Sequence, residues 1–241
     1  AGKHVLLEKP LALTADEVES IVAFYREAGD EGRAPLLLTG FNRRFSPFVV
    51  RMAELLRDRA GPLMISYRMN AGFIPLDHWV HTAQGGGRNR GEACHVYDLF
   101  TFLTGARATE VQAAAARPAT AHYARTDNFT ATVSFDDGSV ATLTYTALGH
   151  RDHPKEQMEV FVDGKVLALD DYRTLRTTGA RGGDLRLRGQ DKGQKEELRR
   201  FATAIREGGA WPIPLWQQVQ ATEIALQVEA QIRGDSGGQL P

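Results

Sequence analysis

The sequence predicts an α+β fold, a large and mostly antiparallel open sheet with helices packed on one face. Two observations carry that prediction. Beyond Gly105 the apolar residues recur every second position, and Asp-Gly pairs punctuate the run. At both ends of the chain the apolar spacing is instead that of helices. Mixed elements first, then consecutive strands, then helices, is the order of an α+β layout.

From the beginning, His4–Leu7 reads as a short strand. Thr14-Ala-Asp-Glu17 fits a capping box, in which hydroxyl and carboxylate satisfy the free amides that open a helix. Val18, Ile21, Val22 and Tyr25 continue that helix at helical spacing, and Gly29 ends it. Leu36–Thr39 reads as a strand, and Ser46-Pro47 caps a helix running to about Arg59. Leu63–Asn70 is the next strand, and Glu92–Leu103 the next helix, with Val96, Leu99, Phe100 and Leu103 on one face and Gly105 beyond it.

Strands are then expected at Thr109–Ala116, Phe129–Phe135, Val140–Thr146, Met158–Val162 and Lys165–Leu169. Phe129, Ala131, Val133 and Phe135 alternate with Thr130, Thr132 and Ser134, so one face is buried and the other polar. Asp136-Asp137-Gly138 and Asp163-Gly164 supply the positive φ that tight hairpins need. Helices at about Gln194–Glu207 and Leu215–Ile232 follow, and the tail DSGGQLP, 235–241, is expected to be disordered or an expression remnant.

With 241 residues, 42% hydrophobic and 24% charged, the chain has the composition of a globular domain with a sizeable core. A net charge of −1 gives no general pull toward nucleic acid or an anionic membrane. No apolar run approaches the ~20 residues that span a bilayer. Cys94 is the only cysteine, which excludes an intrachain disulfide and a cysteine zinc site, and a reducing cytoplasm is the expected compartment.

Three stretches suggest chemistry. In Glu8-Lys9-Pro10 the proline holds Lys9 extended at a strand end, where an ammonium can orient a hydroxyl; an isolated Lys-Pro more often marks a surface turn. In GFNRRFSP, Arg43 and Arg44 suit polyol or carboxylate recognition, or equally an exposed loop paired with nearby Glu. The densest stretch runs from Asn70-Ala71-Gly72 through Asp77-His78-Trp79 to GGGRNRGEACHVYD, residues 85–98, which contains Arg88, Glu92 and His95. Glu92 and His95 lie three apart on one helix face. A neutral imidazole there is suited to general-base work, though a histidine bonded to Asp98 or a backbone carbonyl is the plainer alternative. His78, His81, Glu92 and His95 lack metal-ligand spacing, and no metal is expected.

Taken together, AGKHVLLEKPLALT, GFNRRFSP, NAG with DHW, and GGGRNRGEACHVYDLFTFLTG resemble the glucose–fructose oxidoreductase and inositol dehydrogenase family, Gfo/Idh/MocA, over nearly the whole chain. The resemblance implies a dihydrodipicolinate-reductase-like C-terminal domain preceded by a Rossmann domain, and hydride transfer between NAD or NADP and a secondary alcohol of a sugar or cyclitol. It makes Lys9 and His95 the catalytic pair, with Glu92 orienting His95 or binding a neighbouring hydroxyl. Arg43, Asn70, His78, Trp79 and Arg88 would bind substrate, and Glu8, Lys9 and Pro10 would border the cofactor. Family members with inositol activity often carry Asp four residues before the histidine, where this sequence has Gly91 with Glu92 beside it.

No G-x-G-x-x-G turn occurs in the sequence. The expectation is therefore that residues 1–30 are the end of a nucleotide-binding domain plus junction, and 31–234 the substrate and oligomerisation domain. The fragment alone would then be inactive, with no cofactor bound. The implied partners are a sugar or polyol and a second copy of the chain, as a homodimer or homotetramer through the open sheet face. The rival reading is a non-catalytic sugar-sensing or oligomerisation module of the same fold.

Overall fold

The computed structural model describes residues 2–29, 34–117, 119–208 and 210–234. The expected tail, 235–241, lies outside them. Two sheets organise the chain. The smaller pairs β1 (Val5–Leu7) with β2 (Leu37–Thr39) in parallel, with α1 (Ala15–Gly29) between them in sequence. Because β2 pairs with β1, the small sheet straddles the boundary expected at residue 30. The capping box at the start of α1 is formed, with Glu17 Oε2 accepting from the amides of Leu13 and Thr14.

The larger sheet has eight strands in the order β10-β9-β8-β7-β3-β6-β5-β4. They are β3 (Met64–Asn70), β4 (Ala108–Ala115), β5 (Phe129–Phe135), β6 (Val140–Thr146), β7 (Glu156–Val162), β8 (Lys165–Asp170), β9 (Thr174–Thr178) and β10 (Leu185–Arg186). Every pair is antiparallel except β3 with β6. The Asp163-Gly164 turn has φ of 47° and 73°, the geometry for which the pair was singled out. β9 and β10 are not foreseen from the sequence. They are short, Thr- and Arg-rich strands at a sheet edge, and an edge needs no apolar alternation.

One face of the sheet buries Ile65, Tyr67, Met69, Val133, Leu143, Val160 and Leu167 against α2 (Pro47–Leu56), α3 (Cys94–Thr104) and α5 (Leu215–Arg233). The other leaves Met64 and Phe161, a cross-strand pair, 60% and 43% exposed. α4 (Gln194–Glu207) packs its start against the turn Asn42–Phe45, and Gly193, at φ 87°, leaves no room for a Cβ, which would lie 2.5 Å from Asn42 O.

α5 joins the two sheets. Gln218 is fully buried, and its Oε1 accepts from Thr39 N and Thr39 Oγ1, both at 2.8 Å. Its Nε2 donates to Leu37 O at 3.0 Å and Ile213 O at 2.8 Å. Three of the four bonds made by this one amide hold β2, and through it β1, to the body of the molecule, and the fourth ties Ile213 just ahead of α5. Gln218→Leu leaves those buried groups unpaired and should lower unfolding free energy by at least about 2 kcal/mol in urea titration. A loss below about 0.5 kcal/mol would show that the bonds are not what holds the small sheet.

Candidate functional site

A cavity of about 960 Å³ lies between the start of α1 and the segment leading into α3. Glu8, Lys9, Pro10, Arg43, Trp79, Arg88, Glu92 and His95 all line it. Lys9 and His95, 86 positions apart in sequence, therefore share one wall. The Lys9–Pro10 peptide is cis. Lys9 Nζ donates to the carbonyl oxygen of Gly91. Arg90 makes a second tie, donating to Leu13 O and Gly86 O at 2.8 Å each. The segment from Lys9 to Leu13 and the glycine segment are thus tied together at two points.

Two features shape the approach to α3. Gly86 and Gly87 have φ of 72° and 79°, which L side chains seldom adopt. Residues 89–93 then form a π-helical turn before the α-helix begins at Cys94, so the helix starts later than Glu92. Asn89 is buried in that turn and donates to Ala225 O at 2.7 Å and Glu229 Oε2 at 3.0 Å on α5, while Tyr97 donates to its Oδ1 at 2.8 Å. The π turn is thereby fastened from behind.

His95 is 6% exposed, edge-on to Phe41, and its buried Nδ1 has no hydrogen-bond partner among the described residues. Burial first, then the charges of Arg43, Lys9, Lys192 and Lys155, push its pKa well below the ordinary 6.5. The imidazole is neutral at physiological pH and able to accept a proton. Asp98 does not partner it, because Arg44 donates to Asp98 Oδ2 at 2.9 Å and Oδ1 at 2.5 Å.

The expectation that Glu92 orients His95 is corrected by the structure. The Glu92 carboxylate is taken by Lys155 at 2.6 Å, by the Tyr145 hydroxyl and by Arg88 at 3.3 Å. Burial alone would raise its pKa, but Lys155, Tyr145 and Arg88 outweigh it and hold it at about 2. Glu92 remains on the cavity wall as an ionised, well-held acceptor.

The paired arginines are buried ion pairs. Arg43 donates from Nε and Nη2 to Glu156 at 2.8 and 3.1 Å, and Glu156 also accepts from Tyr67 at 2.6 Å and Lys192 at 2.5 Å. Burial works against ionisation of Glu156, yet Arg43 and Lys192 hold its pKa at about 2. Glu156 and its donor Lys192 are absent from the sequence reading. The signal was there: Glu156 falls in phase with Met158, Val160 and Val162 on the buried side of β7.

Asn70 and His78 are not among the residues lining the cavity. The Asn70 amide donates to His150 O at 2.8 Å and His153 O at 3.3 Å, pinning that turn, and a Cβ on Gly149 would lie 2.0 Å from Asn70 Oδ1. His78 caps the short turn Trp79–His81, its Nδ1 accepting from Val80 N at 3.3 Å. Arg88 lines the cavity but spends donors on Gly72 O at 2.5 Å and Ala71 O at 3.0 Å, so it clamps the loop after β3. Trp79, 64% exposed, stands on the cavity's outer side. That loop folds on itself at Gly85, where a Cβ would lie 2.3 Å from Trp79 O. Among the described residues there is no group of three His, Cys, Asp or Glu able to hold a metal, and no helix long and apolar enough to cross a membrane.

Residues 61–167 match the GFO/IDH/MocA C-terminal domain. The likeness to the Gfo/Idh/MocA family thus rests on that span, within the larger sheet and α3. It is 25% identical over 239 residues to an uncharacterized oxidoreductase, YrbE, of Bacillus subtilis, covering 93% of this chain and 67% of that protein. It is 30% identical over 156 residues to a 1-carboxy-3-chloro-3,4-dihydroxycyclohexa-1,5-diene dehydrogenase of Comamonas testosteroni, covering 62% of this chain and 38% of that one. The fold is similar to that of GenD2 from gentamicin A biosynthesis, solved in complex with NAD, with a TM-score of 0.75, 20% identity, and coverage of 100% of this chain and 72% of that one.

The held carboxylates set a pH response. Glu92 and Glu156 titrate near 2 when folded against an ordinary 4.5, so their contribution is complete above 4.5 and is lost as pH falls toward 2. His95 acts in the same direction below 6.5, since only the unfolded chain takes up its proton readily. The melting temperature should fall progressively on acidification, and Glu156→Gln should remove part of that slope. By NMR, the His95 ring should still be neutral at pH 6.5; a full titration centred at 6.5 would contradict the buried geometry.

Proposed function

We propose that this protein is the substrate-binding and catalytic part of an NAD(P)-dependent dehydrogenase acting on a secondary alcohol of a sugar, sugar derivative or cyclitol. The observation that carries the reading is the common cavity wall of an ammonium, Lys9, and a neutral imidazole, His95. Two such groups beside one reacting hydroxyl can divide its chemistry. Lys9 holds the oxygen and favours its anionic form, and His95 takes the proton.

Neither role needs a change of scaffold. Lys9 is steadied by Gly91 O, and His95 sits on a helix start fastened to α5 through Asn89. Glu92, ionised and held by three donors, can accept a hydrogen bond from a neighbouring substrate hydroxyl. Trp79 offers an apolar face to a ring at the cavity's outer side. The first of the named relatives is an oxidoreductase and the second a dehydrogenase of a dihydroxylated ring, which agrees with a cyclic alcohol as substrate.

The residues present suit a dinucleotide's nicotinamide end. At about 960 Å³ the cavity is at the upper end of the range for small-molecule sites, with room for a second ring beside a sugar. Its α1 wall, with Leu11, Leu13 and Ile21 next to Glu8, Lys9 and Pro10, provides an apolar surface for a planar ring. When bound, the nicotinamide supplies the hydride acceptor.

Steady-state assay of the full-length enzyme, nucleotide-binding domain included, with NAD and NADP against a polyol panel tests the reading. Lys9→Ala and His95→Ala should each lower turnover by about 10²-fold or more; near-normal turnover in both would remove them from the chemistry.

We also read the uncovered sheet face as the surface on which copies of the chain pair, supported by the exposed Met64–Phe161 pair and the threonines around it. Phe161→Glu should shift the light-scattering mass toward the monomer, and an unchanged mass would place any association elsewhere.

A further inference from the structure

The cavity is electrically lopsided. Around His95, six cations act on four carboxylates, and one of those pairs is Arg44 with Asp98. Glu156 alone answers both Arg43 and Lys192, at 2.8 and 2.5 Å. Glu92 answers both Lys155 and Arg88, at 2.6 and 3.3 Å, and Asp127 lies 3.9 Å from Arg88. Lys9 has only a neutral carbonyl, that of Gly91. Arg43 uses Nε and Nη2 on Glu156, and its Nη1 makes no hydrogen bond among the described residues. The cavity's other acidic residues, Glu8 just after β1 and Asp16 and Glu17 in the first turn of α1, are exposed, and Glu17 is spent on capping its own helix.

Excess positive charge on a mostly buried wall is costly unless something neutralises it. Asp98, the buried carboxylate three positions from His95, is already taken by Arg44. A ligand can neutralise the excess.

Resting on the polyol reading above, we propose that the substrate carries an anionic oxygen substituent, a carboxylate or a phosphate, and that Arg43 receives it through Nη1 at the His95 end of the cavity. Glu156 and Lys192 hold Arg43 in that pose, and the combined field of Lys9, Lys155 and Lys192 draws the anion to the same end. Because Nε and Nη2 are already engaged, the contact is a single charge-assisted hydrogen bond rather than the two-pronged clasp that a free guanidinium makes. Arg43 then determines specificity by charge, separately from the hydroxyl that Lys9 and His95 act on.

Three sugars with one ring discriminate the possibilities: D-glucose, D-glucuronate and D-glucose 6-phosphate, titrated calorimetrically into the protein at low and at high sodium chloride. At least one charged sugar should bind about 10-fold or more tighter than glucose at low salt, and the two charged sugars tell carboxylate from phosphate. That lead should shrink several-fold at about 0.5 M salt and shrink also in Lys192→Gln, which alters charge behind the wall without reshaping it. Glucose binding as tightly as both charged sugars, or a lead indifferent to salt, would overturn the anion inference while leaving the polyol reading in place. Failure of all three to bind would overturn both.

Discussion

One helix carries the geometry on which the site depends. α5 presents amide side chains in several directions, and each reaches a different part of the chain. Gln218 takes β2, Gln220 takes Thr101 at 3.1 Å and Ala106 O at 3.1 Å, and Gln231 takes Ala113 N at 2.7 Å and Val111 O at 2.8 Å. Its own carbonyl at Ala225 receives Asn89. The strand that leads to Lys9 and the turn that opens toward His95 are therefore registered against the same rigid rod. Buried glutamines suit this task because one amide can both donate and accept, and the low dielectric around it makes every misplacement expensive.

Onto that frame the site adds opposing charges. Burial drives His95 toward neutrality, while Glu92 and Glu156 stay ionised because each collects more than one cation. The same cations that hold the carboxylates also act on the imidazole. A base that is neutral and an acceptor that is charged can thus sit on one wall, their states kept apart by neighbours rather than by distance.

Much of the fold was legible in the residues. β5 and β6 begin and end where the alternation of Phe129 to Phe135 and the Val140–Thr146 run say, because one face of each is buried. The capping box and the Ser46 cap are equally plain, since Val49 N does donate to Ser46 Oγ at 3.2 Å. The start of α3 was not, because a π turn leaves no period of its own in five residues that include glycine. In the site, Lys9 and His95 could be paired only through resemblance, as no spacing links residues so far apart. Asn70 and His78 sit in telling stretches, yet their side chains serve turns. Lys155 and Lys192 were invisible because a lysine reads as solvent-facing until its carboxylate partner is seen in space.

The close approach at Gly85 gives the loop bearing Trp79 an independence of its own. Its folding is internal, backbone against backbone, and its links to the rest run chiefly through Arg88 and Arg90. The stretch is therefore shaped by its own backbone and moored at its ends, a canopy over the cavity rather than a part of the sheet beneath it.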